Sequence, residues 1–175
     1  MRKALILLFV LVSLAVNAQE VAGVSFGESY ENCKKVLDKR FNNGEISYQY
    51  EKGKLNYFDI TFANESFSRA SFEFQVDDAG TYLNYACFEK YYELDEVQEA
   101  KNKRDRIFKL YIKKYKSGYS YIDSDGFKKY CIPYGEYDDF IYITVSKGKN
   151  RNGQMKYWTI VEYGPINFVN PTDEI

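Results

Sequence analysis

Histidine is absent from this chain, while acidic residues number 25 and cysteines three, and these counts bound its chemistry. Without an imidazole, Ser-His-Asp and Cys-His nucleophiles cannot be built, and the commonest acid–base group at neutral pH is missing. Carboxylate pairs of the glycosidase kind, about 5 to 10 Å apart, remain available. No acid, however, sits in a recognisable motif. Thr144-Val145-Ser146-Lys147 places a hydroxyl three residues before a lysine, but at the end of an expected strand rather than the start of a helix, and is read as coincidence. The sequence is therefore read as non-catalytic and in need of no cofactor.

Metal chemistry is equally thin. Cys33, Cys87 and Cys131 lie far apart, with none of the close pairs a zinc site uses. Each falls in an apolar periodic segment, which leaves two readings open: three buried thiols, or one disulfide and one free thiol. Asp123-Ser124-Asp125-Gly126, with Glu136, Asp138 and Asp139 in a neighbouring turn, invites calcium. The position two residues before Asp123 is Tyr121, which cannot serve as a loop ligand, and Asp-Gly between strands is a strong hairpin signal. The stretch is expected to be a turn, and no metal site is assigned.

Binding is the better-supported use of the side chains. The chain is rich in aromatics, with 18 Tyr and 13 Phe. If Phe72, Phe74, Ile141, Ile143 and Val145 face a core, strand alternation puts Tyr57, Arg69, Glu73, Phe140 and Tyr142 on the opposite face. Tyr and Arg are enriched at binding hot spots, so this face is the expected site for a protein or glycan partner. The basic runs Lys101 to Arg106 and Lys147 to Lys156 are read as the solvated face of a helix and a soluble hairpin tip.

The elements that would position this face begin after an export signal. Arg2 and Lys3 precede an apolar run from Ala4 to Val16, followed by Val16-Asn17-Ala18, so residues 1–18 read as a cleaved signal peptide. That run of 13 residues is shorter than the roughly 20 that span a bilayer. A periplasmic or extracellular protein without stable membrane insertion is expected. Loss of Arg2 and Lys3 from the 24 Lys+Arg leaves 22 against 25 Asp+Glu, no excess of positive charge to hold nucleic acid.

Ser29 to Phe41 carries the spacing of a short amphipathic helix, with Tyr30, Cys33, Leu37 and Phe41 on one side. Leu94 to Gly118 carries a longer one, about 30 Å in length. Asp95 and Gln98 are expected to form its capping box, and Gly118 its left-handed end. Strands are expected near 46–51, 55–62, 69–76 and 81–90, then 119–122, 127–134, 140–146 and 155–163, with Tyr57 and Phe58 on opposite faces and Phe58, Ile60 and Phe62 together. An offset of about 74 lays Phe41 on Tyr115 and Gly44 on Gly118.

The predicted fold is thus α+β: a tandem repeat of one helix followed by four antiparallel strands, with the helices on one face of the sheet. The repeats are bounded as 19–93 and 94–175 and are expected to form one compact unit around a shared sheet. A duplicated helix-plus-four-strand unit resembles the beta-lactamase-inhibitor-protein-like architecture. Val24-Ser25-Phe26-Gly27-Glu28-Ser29-Tyr30 and Val161-Glu162-Tyr163-Gly164-Pro165 likewise resemble small secreted bacterial proteins of unknown function. The resemblance implies a sheet face offered to a macromolecular partner and carries no site residues. The function expected is an exported binding module; a carboxylate-based, carbohydrate-active or envelope-remodelling enzyme is the alternative, followed by a structural envelope component.

Overall fold

A computed structural model describes residues 20–41, 53–77, 80–133, 140–150 and 152–166. The expected signal peptide, the strand near 46–51 and the acidic turn at 136–139 lie outside them. The described chain opens with a tight hairpin of β1 (Glu20–Val21) and β2 (Val24–Ser25), turned by Ala22 and Gly23 in left-handed conformations. Val21, Val24 and Phe26 from this arm are buried. Helix α1 (Tyr30–Arg40) follows from Ser29 and buries Cys33 and Leu37, one turn apart on a single face.

Strands β3 (Lys54–Phe62), β4 (Glu65–Asp77) and β5 (Gly80–Tyr92) then form an antiparallel meander. Ala63 and Asn64 both take positive φ between β3 and β4, the requirement of a two-residue hairpin turn whose twist matches the strands. After helix α2 (Val97–Tyr115), a second meander runs through β6 (Tyr119–Ile122), β7 (Lys128–Pro133), β8 (Phe140–Lys149) and β9 (Met155–Tyr163).

This arrangement overturns the expected tandem of helix-plus-four-strand repeats. Among the described residues, β3 to β9 form one sheet of order β3-β4-β5-β9-β8-β7-β6, three strands from before α2 and four from after it. The two meanders meet where β5 pairs with β9, which joins them in a single shared sheet. The helices are also unequal, with 11 residues in α1 and 19 in α2. The offset that suggested duplication reflects turn spacing, which any succession of hairpins of similar length produces.

Both helices pack on the same face. Tyr57, Phe72 and Phe88 are fully buried there, with Phe41 of the α1 terminus against Tyr57 and Phe72. From the other half, Ile107 and Tyr111 of α2 join the same cluster beside Ile141, Ile143, Val161 and Tyr163. The Thr159 hydroxyl donates 2.8 Å to the Ala100 carbonyl, fastening α2 to the central strand β9.

Several local expectations change. The capping box before α2 is Glu93 with Glu96, whose carboxylate accepts the Glu93 amide at 2.7 Å; it precedes a 3-10 turn at Leu94–Glu96 rather than starting at Asp95. Lys116, not Gly118, takes the left-handed conformation that ends α2, at φ 62°. Gly118 suits a tight space instead: a Cβ there would lie 2.8 Å from the end of the Ile112 side chain and 3.1 Å from the Cys131 carbonyl, so its neighbours would have to shift.

Nor is Lys101 to Arg106 wholly solvated. Lys103 and Arg104 are buried, because they share the inward stripe with Ala100 and Ile107. Lys103 is satisfied by Glu65 at 2.7 Å and lies over the Phe67 ring. Arg104 pairs with Asp105 and donates to the Lys128 carbonyl at 3.1 Å.

Candidate functional site

The face opposite the helices can be followed strand by strand, because antiparallel pairing fixes which residues stand side by side. One row crosses the whole sheet: Asn56, Ser71, Cys87, Glu162, Tyr142, Cys131 and Tyr119. The next holds Phe58, Arg69, Glu89, Ile160 and Thr144. A third brings Tyr91, Trp158 and Ser146 together. Lys54, Glu73 and Tyr85 line up on the other side of the first row.

Side-chain size gives these rows their relief. Asn56, Ser71, Cys87, Cys131 and Thr144 are small and buried, whereas Arg69, Tyr85, Tyr91, Tyr142 and Trp158 rise around them half-exposed. Fixed polar contacts tie the taller groups down. Arg69 meets the Glu89 carboxylate at 2.6 Å, and the Tyr91 hydroxyl donates to the same oxygen at 3.1 Å. The Tyr85 hydroxyl donates 2.7 Å to Glu162, and Lys54 pairs with Glu73 at 2.6 Å. The Lys129 ammonium sits 4.0 Å from the Tyr142 ring centre, and the Tyr91 and Trp158 rings lie 5.7 Å apart. Charge on this face is therefore largely matched internally. Its exposed character is aromatic.

Burial also quiets the ionisable groups. The Cys87 thiol is pushed well above its ordinary range by desolvation, reinforced by Glu89 and Glu162. Desolvation likewise raises the Tyr85 and Tyr142 hydroxyls, with Cys87 adding to the first and Cys131 to the second. Arg69 goes up although burial opposes its charge, because Glu89 outweighs that cost. A thiol held neutral in this way is a poor nucleophile.

Of the residues expected on this face, Arg69, Glu73 and Tyr142 lie on it. Tyr57 does not: it is fully buried on the helix face, donating 2.7 Å to Asp38 of α1 and packing on Phe72. The reason is Asp59, whose φ of 49° interrupts β3 and shifts its alternation by one residue. Leu55 and Tyr57 face the core before the break and Ile60 after it, so Phe58 parts company with Ile60 and Phe62. Phe140 opens β8 opposite Pro133, and its side chain lies outside the described residues.

The residues missed are Phe58, Tyr85, Glu89, Tyr91, Trp158 and Glu162. Alternation through Tyr85-Cys87-Glu89-Tyr91 and Trp158-Ile160-Glu162 was available in the sequence. Central strands carry apolar groups on both faces, so that pattern alone does not say which face is covered.

The remaining candidates resolve locally. All three cysteines are free and buried. The Asp123 carboxylate accepts the amides of Asp125 at 3.1 Å and Phe127 at 2.8 Å, which makes 123–126 a closed hairpin turn. Thr144 and Lys147 project to opposite faces of β8, with the Lys147 ammonium over the Tyr157 ring, so hydroxyl and amine do not meet. No helix among the described residues is long and apolar enough to cross a membrane. No protein-family model, curated protein or solved structure matches the chain.

Proposed function

We propose that this chain is an exported, non-catalytic binding module that engages a protein or glycan partner through the uncovered sheet face. The observation that carries the reading is the half-exposed aromatic platform of Tyr91, Trp158 and Tyr142, held upright by neighbours and surrounding charges already neutralised by one another. Rigid aromatic side chains offer large contact area at low entropic cost, and their faces stack on sugar rings as readily as on protein.

A carboxylate enzyme has less support. Glu89 and Glu162 are the acids on the platform, but one oxygen of each is engaged, that of Glu89 by Arg69 and Tyr91 and that of Glu162 by Tyr85. Export rests on residues 1–18, and the secreted form is expected to begin near Gln19. An N-terminal sequence starting at Met1 would overturn it.

The binding test is amide chemical-shift mapping against soluble oligosaccharides and against candidate envelope proteins. Shifts concentrated on β5, β8 and β9, lost in Trp158→Ala and Tyr142→Ala, are expected. Shifts confined to the helices, or unchanged by both variants, would remove the face from consideration.

A further inference from the structure

We infer that strand β6 is a docking edge for a second copy of this chain, pairing antiparallel with its own mate across a two-fold axis. β6 is the outermost strand of the sheet and, among the described residues, pairs only with β7. All four of its residues are exposed. Tyr119, Tyr121 and Ile122, at 52%, 44% and 64% exposure, account for three of the seven exposed large apolar side chains among the described residues.

Edge strands are templates for further pairing, and proteins normally blunt them with charge, proline or a kink. The opposite edge, β3, has such devices: Lys54 stands at its start and Asp59 interrupts it with a left-handed residue. The sequence Tyr119-Ser120-Tyr121-Ile122 has none of these. It is also held in place. Gly118, close against Ile112, Phe108 and the Cys131 carbonyl, sets its start beside the end of α2.

What selects a second copy as the occupant is the charge on either side of the strand. Lys113, Lys114 and Lys116 precede β6 and are exposed; Asp123 and Asp125 follow it. Antiparallel self-pairing brings the beginning of one strand to the end of the other, so the lysines of each copy approach the aspartates of its mate, twice over. Parallel pairing would set like charges together. An axis perpendicular to the sheet and passing near Ser120 and Tyr121 also keeps Tyr119 and Tyr121 of both copies on the face that carries Tyr142. The joined sheets would then present one continuous aromatic surface. A four-residue edge falls at the small end of specific interfaces, so the pairing is reversible and depends on concentration and salt.

Sedimentation velocity of the mature chain between about 1 µM and 1 mM tests the inference. A monomer–dimer equilibrium is expected, weakened by added salt and shifted at least about tenfold toward monomer by Ile122→Lys. Lys116→Asp or Asp125→Lys alone should weaken pairing about two- to tenfold, and the double variant should restore it. These positions are exposed, so the exchange stays informative should Ile122→Lys compromise folding. Amide exchange in β6 should slow as concentration rises. A chain monomeric throughout the range overturns self-pairing and leaves a strand of a different protein as the occupant. So does a dimer indifferent to both Ile122→Lys and the charge exchange.

Discussion

The two faces of the sheet are built from the same strands and in part from the same residue type, yet they bury different things. On the helix side the large side chains lie innermost: Tyr57, Phe72 and Phe88 are fully buried under α1, α2 and the N-terminal arm. On the other side the small ones lie innermost, with Ser71, Cys87 and Cys131 beneath a layer of Arg, Tyr and Trp. An inverted order of size leaves large groups at the water boundary, where they can contact a partner but contribute little to holding the chain together. The difference assigns stability to the covered face and leaves the other free for the recognition proposed above.

The largest expected effect comes from truncating the covered face. Phe88 stacks on Phe62 at 4.3 Å between ring centres and makes edge contacts with Phe72 and Tyr163. Phe88→Ala is expected to cost about 3–5 kcal/mol, since neighbours drawn from three strands cannot collapse into the void together. Denaturant unfolding monitored by circular dichroism would measure it. A loss below about 1 kcal/mol would mean that the two faces are not distinguished by packing at all.

Charge buried beneath α2 sharpens the same comparison. Lys103 is 3% exposed and Glu65 14%, whereas Arg106, the third member of the group, is 58% exposed. Glu65→Gln strands the Lys103 ammonium and should cost about 2–4 kcal/mol, less than a wholly orphaned ion because the Phe67 ring and water access remain. Arg106→Gln leaves the buried pair intact and should cost no more than about 1 kcal/mol.

A pH dependence follows from the same group. Burial opposes ionisation of Glu65, but hydrogen bonds from Arg106 and Lys103 prevail and hold its carboxyl below the ordinary value of 4.5. A carboxyl with a lowered folded pKa stabilises fully above its unfolded pKa, and the contribution disappears as pH falls through the folded value. Stability should therefore decline on acidification below about pH 4.5, and Glu65→Gln should flatten that limb of the profile. An unchanged acid limb in the variant would show that the pair contributes nothing to acid sensitivity.

The thiols give a smaller, sharper readout. Burial, with Glu28 nearby, raises Cys33 to about 12, and Cys87 goes up with its own burial. A thiol-specific reagent at neutral pH should find no reactive group in the native chain and three after denaturation. A single reactive group in denaturant would mean a disulfide and would contradict three free cysteines.

Much of this organisation was legible in the residues. The alternation of Phe72 and Phe74 with Arg69 and Glu73 placed β4 correctly, since one side wet and one side dry is a pattern of period two. Phe72, Phe74, Ile141, Ile143 and Val145 are all in the core. Two kinds of information were not available. A single residue in a left-handed conformation, Asp59, reverses which side chains of β3 face inward, and aspartate is common enough in turns and strand ends that its type does not announce such a break. The pairing of β5 with β9 is a contact between residues about 70 positions apart, which no local period records. Element order therefore suggested two like copies of a helix-plus-four-strand unit, whereas the described residues form one sheet with three strands from before α2 and four from after it.

The smallest expected loss, that of Tyr142→Ala, is the most discriminating when set against the loss at Tyr57 in the adjacent strand meander. Tyr57 is enclosed by Phe41 and Phe72 and donates to Asp38; Tyr142 stands half-exposed with Lys129 over its ring. Tyr57→Ala opens a cavity under α1 and removes a hydrogen bond to the helix, so a loss of about 3–5 kcal/mol is expected. Tyr142→Ala exposes Cys131 and forfeits one cation–ring contact, and should cost no more than about 1 kcal/mol. Partner affinity should respond in the opposite sense: Tyr142→Ala should abolish the shifts on β8 and β9, while Tyr57→Phe, which keeps the packing and loses the bond to Asp38, should leave them unchanged. Equal stability losses for Tyr57→Ala and Tyr142→Ala would mean that the uncovered face is structural after all, and that recognition must be sought at the edge of the sheet.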